Sequence, residues 1–234
     1  MAAARSAAAR SASLPRVALL AGATGLIGRA LLPLLLANDR YGSVHLLLRR
    51  AMPDLPAQPK LTLHVVDFAQ LPAAFPVVDD VFIALGTTIK VAGSEAAFRQ
   101  VDFDLVVNTA RAARAAGATR LAVVSALGAD VKSRVFYNRV KGEMQAAVAA
   151  LGYESVVLAQ PSLLMGDRAA LGQPTRLGEV WASRLLAPVM GLIPKSVRPI
   201  EAGTVAQAML TANLSGNAGV HILGSGAMQA SAAR

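Results

Sequence analysis

A chain of 234 residues is long enough for one large α/β domain and too short for two comfortable ones. Hydrophobic residues make up 54% of it, which supplies a sizeable core, and the absence of cysteine excludes a disulfide framework, a cysteine nucleophile and a cysteine-based zinc site. The net charge of +9 is carried by scattered residues with no interleaved aromatics. That argues against a nucleic-acid partner, although a basic surface still concentrates anionic ligands.

Residues 1–15 (MAAARSAAARSASLP) hold Arg5 and Arg10, no acid, and many alanines and serines. They read as a disordered leader of a cytoplasmic protein. The alternative is a transit peptide, which would place the protein in an organellar matrix. From Arg16 onward, β-branched apolar runs alternate with longer helical patterns. Strands are predicted at Arg16–Ala21, Val44–Leu48, Leu61–Val66, Asp80–Leu85, Arg120–Ser125, Ser155–Leu158 and Val220–Leu223. Helices are predicted at Leu26–Ala37, Glu95–Ala116, Arg134–Leu151, Leu177–Met190 and Ala202–Asn213. Pro33 removes a backbone hydrogen bond inside the first helix and predicts a kink there. Runs such as RVALLA and RLAVVSA suit strands buried on both faces, and the strand–helix alternation implies a doubly wound parallel sheet, the Rossmann fold. A single domain is expected over 16–224, with a small substrate region at about 162–200 and a disordered tail at 225–234. No apolar run reaches the ~18 residues of a membrane-spanning helix, so no integral membrane contact is expected.

The first strand runs straight into Gly22-Ala23-Thr24-Gly25-Leu26-Ile27-Gly28, and a helix follows. Gly22 lets the chain turn sharply, Gly25 lets a pyrophosphate approach the backbone, and Gly28 lets the helix pack closely. The helix start, including Thr24, Leu26 and Ile27, then offers free N–H groups and a positive dipole end to phosphates. The second strand ends in Arg49 and Arg50, about 20 residues after the turn, where an acid would select the ribose hydroxyl of NAD. Guanidinium groups there suit a 2′-phosphate, so NADP is the expected cofactor, with NAD as the alternative. The third strand ends at Asp67-Phe68, where Asp67 could accept from an adenine amino group. The fourth ends at Leu85-Gly86-Thr87, where Gly86 lets backbone lie against the cofactor.

Ser125 closes the fifth strand, and Tyr137 and Lys141 stand four residues apart on one face of the next helix. An ammonium beside a phenol favours its charged form, which suits a general acid that protonates a carbonyl as hydride arrives. With the glycine turn, this pattern resembles the short-chain dehydrogenase/reductase superfamily in its atypical branch. It is similar to the Tat-interacting-protein oxidoreductases and their bacterial relatives. The likeness is carried by GATGLIG (22–28), ALGTT (84–88), VDFD (101–104), VSALGAD (124–130), YNRVKGE (137–143) and QPSLLMGDR (160–168). It implies a Rossmann fold that binds NADP or NAD, with Ser125, Tyr137 and Lys141 around the nicotinamide and Pro161 passing beside it. Lys141 would also reach the ribose hydroxyls. Extended relatives often carry asparagine where this chain has Asp102, so no role is carried over to Asp102.

The function this implies is an NADP-dependent oxidoreductase moving hydride between nicotinamide and a small-molecule carbonyl or alcohol, as a monomer or homodimer. The alternative is a non-catalytic NAD(P)-binding regulator or redox sensor acting through a protein partner. His45, His64 and His221 read as structural histidines and not as a metal site. Trp181, Leu185, Leu186 and Val189 form an apolar stripe of core spacing, and Arg168 reads as a surface or helix-end cation.

Overall fold

The computed structural model describes residues 15–52, 57–73, 75–165, 194 and 196–231. The leader through residue 14, Arg168 and the Trp181 stripe lie outside the described residues. In chain order the strands are β1 (Arg16–Ala21), β2 (Tyr41–Leu48), β3 (Leu61–Val65), β4 (Asp80–Ile83), β5 (Arg120–Val124), β6 (Ser155–Gln160), β7 (Leu164–Met165), β8 (Ile200–Glu201) and β9 (Gly219–Gly224). The helices are α1 (Leu26–Ala37), α2 (Ile89–Ala92), α3 (Glu95–Arg99), α4 (Val106–Ala115), α5 (Phe136–Ala149), α6 (Ala202–Ser215) and α7 (Ser225–Ser231), with a π-helical turn at Gln100–Leu105 between α3 and α4.

The apolar runs form one seven-stranded sheet in the order β3-β2-β1-β4-β5-β6-β9, with every neighbouring pair parallel. This is the doubly wound arrangement expected. Strands buried on both faces need apolar side chains at successive positions, and Ala18–Ala21, Val81–Ile83 and Leu121–Val123 are all fully buried or nearly so. One face packs on α1 and α6 through Leu31, Leu35, Val205 and Met209. The other packs on α4 and α5 through Ala110, Met144 and Val148. At the N-terminal end of the strands, Asp80 accepts two hydrogen bonds from Arg16, at 2.7 Å each, and one from the Tyr41 hydroxyl at 2.9 Å. Burial and that carboxylate push the Tyr41 phenol well above its usual range.

The order reverses between β1 and β4, and the crevice at the carboxyl ends of those strands is where such sheets bind ligands. Gly22 adopts φ +95°, and a Cβ there would meet the backbone of Ala84 at 2.5 Å. Glycine is therefore obligatory at the turn. At Gly28 a Cβ would lie 2.0 Å from the Gly22 carbonyl oxygen, so this glycine lets α1 close on the turn itself and not only on the sheet.

Two local features depart from the sequence expectations. The helix expected over Glu95–Ala116 runs without a gap from α3 through α4, but six of its residues, Gln100–Leu105, form a π-helical turn in which Asp102 is buried. Residues 225–231, expected to be disordered, form α7, because Met228 is buried in the core beside α6. Helix α1 itself has the expected bounds and contains exposed Pro33.

Candidate active site

The crevice is an open cleft of about 500 Å³ at the β1–β4 switch point. Its walls include Gly22, Thr24 and Gly25 after β1, Arg49 and Arg50 after β2, Phe68 after β3, and Leu85, Gly86 and Thr87 after β4. Ala97, Gln100 and Val101 close the far side. A second hollow of about 420 Å³ shares Arg49 and Arg50 and adds Val65, Val66 and Asp67. Of the sequence-predicted cofactor residues, Gly22, Thr24, Gly25, Arg49, Arg50, Asp67, Phe68, Leu85, Gly86 and Thr87 line these two adjoining hollows, whereas Leu26, Ile27, Gly28, Tyr137, Lys141 and Pro161 line neither.

Each contributes through a definable local cause. Gly25 is the extended residue before α1, and no side chain caps that helix. The N–H groups of Leu26, Ile27 and Gly28 have no intrahelical acceptor, and a helix start of this kind favours an anion. A Cβ at Gly25 would touch nothing nearer than 3.5 Å. The fold therefore tolerates a side chain there, and the space that glycine leaves belongs to the cleft. Arg49 and Arg50 are exposed and form no ion pair among the described residues. Asp67 is also exposed, with one carboxylate oxygen accepting from the Ala69 N–H at 2.8 Å.

Behind the cleft wall lies a buried ion pair. Lys141 Nζ sits 2.7 Å from Asp102 Oδ1, and their side chains are 3% and 1% exposed. The other oxygen, Asp102 Oδ2, accepts from the Thr87 N–H at 2.8 Å. A Cβ on Gly86 would come within 3.3 Å of Asp102 Oδ1 and 3.9 Å of Lys141 Nζ. Three distant segments therefore meet at one point: the loop after β4, the π-helical turn and α5. Their junction explains the π-helical turn, since the extra residue in it aims Asp102 inward. Sequence reasoning assigned Asp102 no role, and local periodicity contains no signal for this pairing.

Tyr137 stands one turn before Lys141 on α5, its ring 5.2 Å from that of buried Phe98 in α3. Ser125 follows β5 directly. Its N–H donates to the Ala159 carbonyl at 2.7 Å, and its Oγ accepts from Gln145 Nε2 at 2.5 Å. The Pro161 carbonyl accepts from the Leu127 N–H at 3.0 Å, tying the loops after β5 and β6 together. Gln145, one turn beyond Lys141, was missed in the sequence. The spacing 137, 141, 145 was the available signal.

Away from the cleft, the register of β2 and β3 brings together two histidines that sequence separation had set apart. His45 Nδ1 and His64 Nε2 are 2.8 Å apart, with the ring planes 13° from parallel and the centroids 5.0 Å apart. Rings meeting nitrogen to nitrogen in one plane share a single proton and leave no convergent lone pairs for a metal. Among the described residues no group of three metal-ligating side chains occurs. Burial lowers the affinity of both rings for a proton, and for His45 the neighbouring His64 lowers it further. The unfolded chain therefore binds more protons than the fold below 6.5, the ordinary histidine value. Stability contributed by the pair is full above that pH and is lost as pH falls through the lowered folded values. Denaturant midpoints followed across this window should fall more steeply for wild type than for His64→Gln. Equal slopes would show that the pair contributes nothing.

A protein-family model described as NAD(P)H-binding matches residues 22–163. The protein fmp52, mitochondrial, of Emericella nidulans is 33% identical over 76% of this chain and 78% of its own length. Protein HTATIP2 of Rattus norvegicus is 35% identical over 70% of this chain and 66% of its own length. Among solved structures, MoeE5 in complex with UDP-glucose and NAD superposes with a TM-score of 0.65 at 17% identity, covering 88% of this chain and 75% of that one. A short chain dehydrogenase family protein from Francisella tularensis gives a TM-score of 0.62 at 13% identity, covering 92% of this chain and 100% of that one. At such identities the solved structures bear on the fold alone. Among the described residues, no helix is long and apolar enough to cross a membrane.

Proposed function

The chain belongs to the NAD(P)H-binding family, and from that premise we propose that it is an NADP-dependent oxidoreductase acting on a carbonyl or the matching alcohol. The observation that carries this reading is the buried Lys141–Asp102 pair directly behind Gly86 of the cleft wall. It links the wall of the dinucleotide cleft to the helix that bears Tyr137.

The residues present fit a dinucleotide. The cleft has a glycine floor with free helix N–H groups, and its volume with the adjoining hollow lies in the range of cofactor sites. When bound, the nicotinamide supplies the hydride for reduction or takes it up in oxidation. In the reductive direction the Ser125 hydroxyl donates a hydrogen bond to the substrate carbonyl oxygen and fixes its position. Tyr137 delivers a proton to that oxygen, so that carbonyl, hydride and proton together give the alcohol. Lys141, held by Asp102, positions the nicotinamide ribose and keeps a positive charge near the phenol. Arg49 and Arg50 take the 2′-phosphate. For the compartment, the mitochondrial names of the fungal relatives favour the organellar alternative for residues 1–15 over a cytoplasmic leader.

Two assays test this reading. A panel of carbonyl compounds with NADPH should yield a substrate whose reduction consumes NADPH absorbance. Calorimetric titration should give tighter binding for NADPH than for NADH. In Arg49→Ala/Arg50→Ala that preference should shrink by about 1.5–3 kcal/mol, the scale of a lost charge-assisted contact. Equal wild-type affinities for the two cofactors would contradict the assignment of the arginines.

A further inference from the structure

Lys141 and Tyr137 are not the end of the polar stripe on α5. One turn further on, Gln145 is 8% exposed, a low value for an amide side chain, and it bridges two strand ends. Its Nε2 donates to Ser125 Oγ at 2.5 Å, and its Oε1 accepts from Gln160 Nε2 at 3.3 Å. Ser125 directly follows β5, Gln160 ends β6, and these strands are hydrogen-bonded neighbours. A buried polar group must be satisfied, and a chain of three such groups has a direction, since each amide offers hydrogen on one side and oxygen on the other.

We propose that Gln145 and Gln160 form an amide relay that makes Ser125 a hydrogen-bond donor to the substrate's carbonyl oxygen. The proposal rests on the carbonyl-reducing reading above. A serine hydroxyl has one proton and two lone pairs. The Gln145 N–H occupies a lone pair, so the proton remains for another acceptor, and among the described residues no acceptor takes it. If the Gln145 amide were turned over, its oxygen would face Ser125 and capture that proton. The hydroxyl could then only present lone pairs to a carbonyl oxygen, which repels them. Gln160 opposes the inversion, because its N–H faces the oxygen side of the Gln145 amide at 3.3 Å. Gln145 and Gln160 are thus positioning residues that act through Ser125.

The decisive variant is Gln160→Glu, at a half-buried position whose side chain bonds to Gln145 and not to Ser125. A carboxylate there accepts only, so the Gln145 amide should turn its N–H groups toward it and its oxygen toward Ser125. The expected result is a fall in kcat of about 100-fold, the scale of losing one oriented donor, with NADPH affinity unchanged. Gln145→Glu should give the same split, since it takes the Ser125 proton directly. A packing role alone would not produce this split from an isosteric change in a residue whose side chain bonds to Gln145 and not to the hydroxyl. The companion measurement needs no turnover: the Gln145 side-chain amide signals in a nitrogen–proton correlation spectrum should shift in Ser125→Ala and again in Gln160→Glu. If Gln160→Glu leaves both kcat and those signals as in wild type, the relay is overturned. If wild type reduces no carbonyl at all, the reductase reading falls, and the amide signals alone decide whether the relay exists.

Discussion

Asp102→Ala should destabilise the protein by about 3–5 kcal/mol, because it strands the Lys141 ammonium in the interior without a partner. The pair is 2.7 Å apart and almost fully removed from solvent, so water cannot replace the lost carboxylate. The same change leaves the Thr87 N–H without its acceptor, which loosens the Gly86–Thr87 wall of the cleft. NADPH affinity should therefore fall along with stability. The double variant Asp102→Ala/Lys141→Met should recover most of the stability, since removing both charges of a buried pair is often neutral. Chemical denaturation of the four proteins in the cycle measures this directly. A single variant Asp102→Ala within about 1 kcal/mol of wild type would mean that the pair is not buried as described, since that is the scale of an exposed pair.

Tyr137→Phe should lower carbonyl reduction by about 10²–10⁴-fold, the range that a positioned general acid contributes. The substitution removes only the hydroxyl. The ring keeps its place 5.2 Å from Phe98, and the Lys141–Asp102 pair is untouched. Stability and NADPH affinity should therefore stay close to wild type while turnover collapses. Lys141→Ala is a poorer probe of the chemistry than the sequence alone suggested. It orphans buried Asp102 as well as removing the proposed ribose contact, so its effects on fold, binding and rate cannot be separated. If Tyr137→Phe reduces its substrate at the wild-type single-turnover rate, the acid is another group.

The sheet was legible because its cause is local. RVALLA and RLAVVSA are apolar at successive positions, and only a strand covered on both faces uses such a run. The turn at 22–28 was legible for a similar reason, since Gly22 and Gly28 answer to backbone contacts made within the turn or to the neighbouring strand end. What escaped the sequence depends on partners far along the chain. The π-helical turn exists because Asp102 meets Lys141, 39 residues later, and no window over 95–116 carries that information. Gln145 and Gln160 have the side chains of surface residues, and only the neighbouring ends of β5 and β6 bring them to Ser125. Helix α7 follows from the docking of Met228 beside α6, which overrides the small-residue composition of its segment. His45 and His64 meet through strand register, which sequence spacing does not give.

In the proposed function this cleft moves a hydride between NADP and a carbonyl carbon. That transfer is tested most directly by NADPH deuterated at the transferable nicotinamide position, mixed with excess protein and a carbonyl substrate found in the panel. Deuterium should appear on the carbinol carbon within a single turnover, at a rate that Tyr137→Phe reduces sharply. NADPH that binds tightly, yet delivers no deuterium to any carbonyl tested, would contradict the claim and leave a dinucleotide-binding regulator as the better account.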